Sequence, residues 1–401
     1  RGPGGTADVP VRLFHRLDGA GRVQARVVDA VGGAPLPGFD WSDHEAALPA
    51  APEGADAAVT LVGVPAGGNY DVEVRLVRDA DGVVVGEASL TEVAVGDVWV
   101  VGGQSNMSGY SGNLIGAEEP SDDVHLFGND YVWKRGSEPM DGGVDQVDQV
   151  SEESPAHSLM LRFAKEMALA TGVPQGIVPG PLGGTNLYAQ WQRNEADHDD
   201  RNTLYGSLLY RTLLQHDPNP PHGFLWFQGE SDVGRTVAQY ETDLETLIAR
   251  YREDLDAPDL WAIVAQIGTH QFEQNLEGWV GIQEAQRRVA ESDLRVAIVP
   301  TADQPRADSI HFSVEGYKTI GVRFAEAARE MVHGEPIDAS LRVVAARRIG
   351  NNRSLEIEFD GDVSGGDGGL FRVRNDGAAV GVRSVSAVGN VVELDLDGRL
   401  D

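Results

Sequence analysis

The sequence contains no cysteine, very little lysine and no long apolar run, and each absence excludes something. Without cysteine the chain has no disulfide bonds, no catalytic thiolate and no cysteine-ligated zinc. No stretch of about 18 apolar residues occurs, so no membrane-spanning helix is predicted. The lysines are Lys134, Lys165 and Lys318, and all other Lys and Arg positions are arginine.

Acidic residues dominate the charge: 63 Asp and Glu face 32 Lys and Arg, giving a formal net charge of −31. Such a surface repels phosphate backbones, so we expect no nucleic-acid partner. It favours neutral over anionic polymer substrates and suits a saline habitat. A solvated acidic surface without functional meaning explains the same composition.

The first five residues, Arg1–Gly5, contain no apolar signal region and resemble the cut edge of a longer or processed chain. We expect a secreted, periplasmic or otherwise extracellular protein, and a cytoplasmic location stays open. No membrane partner is expected, and the sequence does not indicate whether the protein is a monomer or an oligomer.

Three segments with different hydrophobic patterns divide the chain. Residues 1–94 hold short alternating strands between Gly, Pro and Asp turns, which predicts a β-sandwich; Trp41 and His44 there either contact a sugar or pack in the protein. Residues 95–335 alternate apolar strands with amphipathic helices, which is typical of an α/β domain with a parallel sheet between helices. Residues 336–401 predict a small β-domain, or strands that complete the first one.

A serine follows the first strand of the middle segment. The apolar run Val98–Val101 predicts a buried strand, and Gly102-Gly103-Gln104-Ser105-Asn106-Met107 comes directly after it. Ligands bind at the carboxyl ends of parallel strands, and glycines let a substrate approach the backbone. We therefore interpret Ser105 as a nucleophile, with an ordinary polar turn as the alternative.

Asp308 and His311, three residues apart, supply what a serine nucleophile requires. Serine needs an adjacent base, and the base needs a group that orients it. The backbone N–H of Ser105, the loop at Gly183-Gly184 and Gln228 are candidate donors to an oxyanion. Because position 107 is Met, the Gly-x-Ser-x-Gly elbow is missing and an α/β-hydrolase is disfavoured.

Other polar and aromatic residues carry weaker signals. The acidic loop is a candidate Ca²⁺ site, although its spacing differs from that of an EF-hand; its carboxylates are Asp141, Asp145, Asp148, Glu152 and Glu153. Three histidines without an evident partner are interpreted as structural or solvated; they are His157, His198 and His270. Tyr188 and Trp191 either face a sugar or belong to the core.

Four blocks resemble those of the SGNH hydrolases, and most closely the sialate O-acetylesterase-like branch with its carbohydrate acetylesterases. The blocks are Gly103–Met107, Gly183–Thr185, Gln228–Asp232 and Asp308–Phe312. The resemblance covers about residues 95–332 and implies a flavodoxin-like three-layer α/β/α fold and ester hydrolysis without metal or other cofactor.

The resemblance also implies roles for individual residues. Ser105 would be the nucleophile, His311 the base and Asp308 the group that orients it. The N–H groups of Ser105 and Gly184 would bind the oxyanion, and Gln228 stands where the superfamily usually has asparagine. Candidate substrate-binding residues in or near the blocks are Gln104, Asn106, Thr185, Trp191 and Glu230.

From these residues we predict a serine esterase that removes short acyl groups, acetyl above all, from carbohydrate. A lipid or aryl esterase or a thioesterase on the same scaffold is one alternative. A glycan-binding protein with an inactive centre is another. Metal-dependent hydrolysis is weakened because the sequence has no His-x-x-x-His or similar cluster.

Overall fold

The computed structural model describes residues 5–152, 154–216, 220–272, 274–334, 343–364, 371, 373–375 and 378–401. The chain forms two compact units, residues 1–335 and 336–401. The expected boundary between residues 94 and 95 stays a prediction, and the one at 335 and 336 lies outside the described residues. In the described part of the chain, the helices are too short or too polar to cross a membrane.

The N-terminal strands form two antiparallel sheets, one of order β1-β4 and one of order β3-β2-β5-β6. Alternate residues of β2 are buried, among them Val23, Ala25 and Val27, and a single apolar core includes side chains from both sheets. The strands are β1 (Thr6–Leu17), β2 (Gly21–Asp29), β3 (Ser42–Leu48), β4 (Ala51–Pro65), β5 (Gly67–Arg78) and β6 (Val84–Val95). Strands β3 and β6 lie at the edges of their sheet. Because apolar residues alternate only weakly in them, the sequence pattern does not predict these two strands.

Trp41 lies beside this sheet with its ring faces occupied by protein. The guanidinium groups of Arg26 and Arg75 lie 4.7 and 4.2 Å from the ring centre, and Ser42 contacts His44. These contacts favour packing over sugar binding for Trp41.

A seven-stranded sheet of order β13-β12-β11-β7-β10-β8-β9 carries the site. All neighbours are parallel except the pair β8 and β9. Its strands are β7 (Asp97–Gly103), β8 (Ser121–Phe127), β9 (Trp133–Gly136), β10 (Gln175–Pro179), β11 (Gly223–Phe227), β12 (Trp261–Gln266) and β13 (Val296–Pro300). Strands β8 and β9 lie in the long polar region between Ser105 and Ser154. They escape notice because only the end of β8, at Val124, Leu126 and Phe127, is apolar and buried.

Helices cover this sheet. They are α1 (Ser105–Ser108), α2 (Met160–Thr171), α3 (Leu187–Gln190), α4 (Leu204–His216), α5 (Val237–Asp254), α6 (Leu276–Ser292) and α7 (Val314–His333). Helices α6 and α7 both pack on β12 and β13 and pair with different helices, α5 and α2, so they lie on opposite faces. As predicted, Gly172 ends α2 in a left-handed conformation and the Ser313 side chain caps α7.

The second unit contains a sheet of order β14-β15-β19-β18 and the hairpin β16-β17. Its strands are β14 (Val343–Ile349), β15 (Ser354–Phe359), β16 (Val373–Asn375), β17 (Ala378–Val380), β18 (Val382–Val388) and β19 (Val391–Leu396). Val392, Leu394 and Leu396 form part of a small core. The starts of two expected strands, at Leu341 and Leu370, lie outside the described residues.

Candidate active site

Three adjacent strands deliver the site loops to one edge of the sheet. Strand β7 lies between β10 and β11, and all three are parallel, so the loops after Gly103, Pro179 and Phe227 emerge side by side. Gly103 has φ 144°, and a Cβ there would overlap the carbonyl oxygen of Phe227. Only glycine therefore allows the turn that places Ser105 at the start of α1.

Ser105, His311 and Asp308 form a continuous chain of hydrogen bonds. The Oγ of Ser105 lies 2.9 Å from Nε2 of His311, and Nδ1 of His311 lies 2.7 Å from Oδ2 of Asp308. Because a carboxylate accepts, Nδ1 carries a proton and Nε2 is left to accept the serine proton. The structure thus brings together three residues that the sequence singled out across two hundred positions.

Asp308 also holds the turn on which the histidine stands. Its Oδ1 accepts the backbone N–H groups of Ile310 at 2.8 Å and His311 at 2.7 Å. Burial alone would raise the pKa of Asp308, but the hydrogen bonds from the backbone and imidazole of His311 outweigh it and leave the pKa below its ordinary value. The carboxylate is therefore ionised and oriented over the working range of a histidine base.

Two backbone N–H groups are open beside the serine. Those of Ser105 and Gly184 make no hydrogen bond within the described residues, whereas the N–H of Gly183 donates to Oε2 of Glu152 at 2.7 Å. Ser105 and Gly184 both line the same cleft. These two donors match the expectation for an oxyanion hole, and their role stays a prediction.

Gln228, the third expected donor, faces away from the cleft. Its Nε2 lies 2.6 Å from Oδ2 of Asp232, 3.1 Å from the carbonyl oxygen of Thr185 and 3.1 Å from Oε1 of Gln104. The side chain is fully buried, and Tyr240 donates to its Oε1. An amide nitrogen has two protons, and these acceptors engage both of them. This geometry argues against an oxyanion role for Gln228, and that role stays a prediction.

Gln104, unlike Gln228, lines the cleft with its side-chain amide. Its Oε1 accepts from the backbone N–H of Ser231 at 3.2 Å and from that of Gly229 at 3.5 Å. These donors fix which end of the amide is oxygen, so the Nε2 group points the other way. Gln104 lines the cleft, and its Nε2 has no partner within the described residues.

Asn106 and Glu230 form a buried network under the histidine turn. Nδ2 of Asn106 donates to Oε1 of Glu230 at 2.6 Å and to the carbonyl oxygen of Ile310 at 3.3 Å, while Tyr317 donates to Oδ1 at 2.8 Å. Burial raises the pKa of Glu230, and the hydrogen bond from Asn106 and the charge of His311 oppose this rise. Asn106 therefore positions the turn, and only Glu230 of the two lines the cleft.

Tyr110 and Glu152 support the site, and no motif in the sequence predicts either role. The Tyr110 ring stacks on His311 with centroids 5.1 Å apart and planes at 26°. Burial, followed by the hydrogen bond to Glu152, raises the pKa of Tyr110. Glu152 thus connects the Gly183 loop with the aromatic side chain that packs on the histidine.

Thr185 and Trp191 belong to the core. The Thr185 hydroxyl donates to the carbonyl oxygen of Leu182 and accepts from Nε1 of Trp191 at 3.1 Å. Trp191 is fully buried and packs edge-on against Trp226 at 5.0 Å. Neither side chain lines the cleft, which favours the core alternative for Trp191 and gives no support to substrate binding by Thr185. Tyr188 is 48% exposed, and Arg235 lies over its ring.

The acidic loop distributes its carboxylates among separate partners. Asn129 donates to Asp141, Arg201 and Tyr131 bind Asp148, and Gly183 donates to Glu152. Glu153 lies outside the described residues. Among those described, no three His, Asp or Glu side chains are arranged to hold a metal ion.

The three remaining histidines differ in their surroundings. His198 contacts Asp254 at 2.8 Å, and His157 is buried 4.0 Å from Glu138. Burial lowers the pKa of His157 to about 4, so it is neutral at pH 7. His270 lines the cleft, which sequence analysis missed because no motif surrounds it.

The cleft above Ser105 has a volume of about 480 Å³. The loop after β12 supplies its outer wall with His270, Gln274 and Asn275, and Trp279 and Val233 add apolar surface. A cleft of this size, lined by both polar and apolar side chains, accommodates a small acyl group and part of a sugar ring.

Comparison with known proteins gives the class of the enzyme. The model of a carbohydrate esterase family, described as sialic acid-specific acetylesterase, matches residues 95–330. Because the match spans more than half of the chain, the chain belongs to this family and is a carboxylic ester hydrolase of carbohydrates. No curated protein matches the sequence.

Three solved structures are similar to this chain, and the first of them shows the same mixed α/β fold. The carbohydrate acetylesterase XAC1771 from Xanthomonas citri is similar with TM-score 0.64 and 21% identity, covering 98% of this chain and 88% of its own. A protein from Arabidopsis thaliana has TM-score 0.49 and 23% identity, with coverage of 59% and 98%. NanS has TM-score 0.45 and 17% identity, with coverage of 60% and 98%.

Proposed function

We propose that this protein is a serine O-acetylesterase of carbohydrates in which Ser105, His311 and Asp308 form the catalytic triad. The observation that carries the proposal is the unbroken contact from Ser105 Oγ to His311 to Asp308, at 2.9 and 2.7 Å. We further propose that residues 95–335 form a flavodoxin-like three-layer SGNH domain. In this proposal residues 1–94 form a β-sandwich and residues 336–401 a small β-domain.

The proposed reaction has two halves. Ser105 Oγ attacks the acetyl carbonyl carbon while its proton moves to Nε2 of His311, and the N–H groups of Ser105 and Gly184 stabilise the oxyanion. The imidazolium then protonates the sugar oxygen as the ester bond breaks, which leaves an acetyl-serine. Water, deprotonated by His311, attacks this ester and releases acetate and the free serine. Asp308 keeps Nδ1 protonated throughout and stabilises the imidazolium.

Short acyl groups fit the cleft better than long ones. Gly183 and Gly184 bring backbone close to Ser105, and the surrounding side chains of Gln104, Ser231 and Gln274 are polar. A lipid esterase gains about 0.8 kcal/mol for each methylene that its pocket buries. This enzyme should instead lose kcat/KM beyond propionate in a p-nitrophenyl ester series from acetate to octanoate. Preference for octanoate without acetate release from any glycan would favour a lipid esterase.

The deciding experiment combines Ser105→Ala with active-site labelling. Ser105→Ala should lower kcat for p-nitrophenyl acetate by about 10⁴–10⁶ without changing the thermal midpoint. Ser108→Ala is the matched control, because this buried serine lies one helical turn further along α1 and outside the cleft. A fluorophosphonate should label the wild type and Ser108→Ala but not Ser105→Ala. Turnover by Ser105→Ala near the wild-type rate would exclude the proposal.

A further inference from the structure

The cleft contains no arginine or lysine among the described residues that line it. Its polar lining consists of three amides, three hydroxyls, a phenol, two imidazoles and one carboxyl group: Gln104, Gln274, Asn275, Ser105, Ser231, Ser309, Tyr110, His270, His311 and Glu230. Amides and hydroxyls pair with sugar hydroxyls, whereas a carboxylate ligand is normally met by arginine or lysine.

The arginines on the neighbouring loops face other groups. Arg235 follows the Glu230 turn, but it pairs with Asp243 at 2.7 Å and lies over the ring of Tyr188. Arg306 precedes the Asp308 turn and packs on the ring of Phe312 at 5.8 Å. Neither lines the cleft, so neither is placed to bind an anionic ligand there.

Glu230 places a carboxyl group beneath this lining, and that group adds negative charge when it is ionised. The residue is 8% exposed, its Oε1 accepts from Asn106, and its Oε2 has no hydrogen-bond partner within the described residues. A carboxylate so enclosed is poorly screened by salt water, and it would repel a substrate carboxylate in the cleft. Asp308, with a side chain 52% exposed, contributes charge of the same sign beside the histidine.

We infer that the enzyme selects acetylated neutral sugars and discriminates against acetylated sugar acids, including sialic acids, with Glu230 as a specificity determinant. This inference rests on the proposed function, and it separates this chain's substrate from the one in its family's description. The family match shows a carbohydrate esterase, whereas the charge of the lining decides which carbohydrates enter.

The test uses a matched substrate pair on the full-length protein. Acetylated methyl glucopyranoside and acetylated methyl glucopyranosiduronic acid, acetylated at the same ring position, differ only by a carboxylate at C6. At low salt and pH 8 we expect kcat/KM for the neutral glycoside to be at least about tenfold higher. Towards 1 M NaCl, where the Debye length falls to about 3 Å, the ratio should shrink only in part, because salt screens the exposed Asp308 far more than the enclosed Glu230. A 9-O-acetylated sialic acid should be as poor a substrate as the uronic acid.

Two variants isolate the cause. Glu230→Gln keeps an oxygen that accepts from Asn106 but removes the charge, so the neutral-to-acid ratio should fall several-fold. Glu330→Gln, an equal charge change at the exposed far end of α7, should leave the ratio unchanged. Gln274→Lys adds a cation on an exposed part of the wall without touching the buried network, and it should raise kcat/KM for the uronic acid. The readout is the ratio of kcat/KM for the neutral glycoside to kcat/KM for the uronic acid, because a loss of activity common to both substrates cancels in it.

Failure of this specificity inference and failure of the proposed function give different results. Equal or better turnover of the uronic and sialic acids by the wild type would overturn the inference. A ratio that neither Glu230→Gln nor Gln274→Lys changes would also overturn it. In both cases the proposed triad stands if Ser105→Ala is inactive on both substrates, whereas an active Ser105→Ala removes the proposed function itself.

Discussion

Replacing Asp308 with asparagine tests the proposed proton path without disturbing the loop that carries it. Oδ1 of asparagine can still accept the N–H groups of Ile310 and His311, now 2.8 and 2.7 Å from Asp308. The amide nitrogen would take the place of Oδ2, 2.7 Å from Nδ1 of His311. That nitrogen can only donate, so Nδ1 must accept and the proton moves to Nε2. The Nε2–H would then face Ser105 and could not take its proton.

The size of the loss follows from how exposed Asp308 is. With a buried triad aspartate, such a change lowers kcat by about 10⁴. Here the Asp308 side chain is 52% exposed, so water competes with the asparagine and the imidazole visits the competent tautomer more often. We therefore expect a kcat loss of about 10²–10³, or roughly 3–4 kcal/mol in the activation barrier. His311→Ala should lose at least as much, because it removes the base itself.

Stability provides the second readout. The folded-state pKa of Asp308 lies below its ordinary value, so its contribution is present above the unfolded pKa and lost as pH falls through the folded pKa. Solvent screens this half-exposed group, so Asp308→Asn should shift the thermal midpoint at pH 7 by no more than about 2–4 °C, and by less at pH 2.

The assay is kcat for p-nitrophenyl acetate from pH 5 to 9, with thermal melts of each variant. Asp303→Asn is the matched control, because Asp303 is also 52% exposed and pairs with Arg323 away from the cleft. The control should keep wild-type kcat. An Asp308→Asn enzyme within threefold of wild type, or one slower than His311→Ala, would refute the assigned roles. A wild-type rate that is flat from pH 5 to 8 would contradict a histidine base.

Three further predictions follow from the surroundings of the triad. Gln228→Ala should lower the free energy of unfolding by about 1–3 kcal/mol, because Asp232 and Gln104 lose a buried donor. A kcat loss of about 10²–10³ with an unchanged thermal midpoint would instead support Gln228 as an oxyanion donor. Tyr110→Leu should lower kcat by about tenfold through a misplaced imidazole, since an aromatic stack is worth about 0.5–1.5 kcal/mol. Tyr110→Phe keeps the ring and should lose less, and equal kcat losses in the two variants would assign the effect to the hydroxyl. The thermal midpoint should rise between 0.1 and 1 M NaCl, because screening weakens repulsion among the excess acidic groups; a midpoint that falls steadily would show that ion pairs dominate.

The sequence predicted the contact between Ser105 and His311 because two local rules reinforce each other. Each strand end could be located from its apolar run, and parallel neighbours bring their carboxyl ends to one edge. The spacing from Asp308 to His311 is a single turn, so the pair needs no tertiary information. Strand β8 and the edge strand β9 lacked such a signal because their burial depends on neighbours in the sheet.

The orientation of side-chain amides could not be predicted in this way. Gln104 and Gln228 both follow strands, both end in amides, and both stand in Gly-rich blocks. What separates them is which donor each oxygen meets: the backbone N–H groups of Gly229 and Ser231 donate to Gln104, whereas the side-chain hydroxyl of Tyr240 donates to Gln228. Those donors come from a loop and a helix, so the sequence around each glutamine could not predict which way its amide points.

Carboxylates that look like surface charge in the sequence hold the site loops in place. Glu152 accepts the N–H of Gly183, Asp232 accepts that of Leu187 at 2.9 Å, and Asp308 accepts those of Ile310 and His311. Loops without regular secondary structure leave backbone donors unpaired, and an ionised acceptor binds such donors more strongly than a neutral one. Two of these carboxylates lie 31 and 45 residues from the donors they bind, so composition registers only their charge. The acidity near the cleft therefore serves the positioning of the catalytic loops, in addition to any effect on solubility.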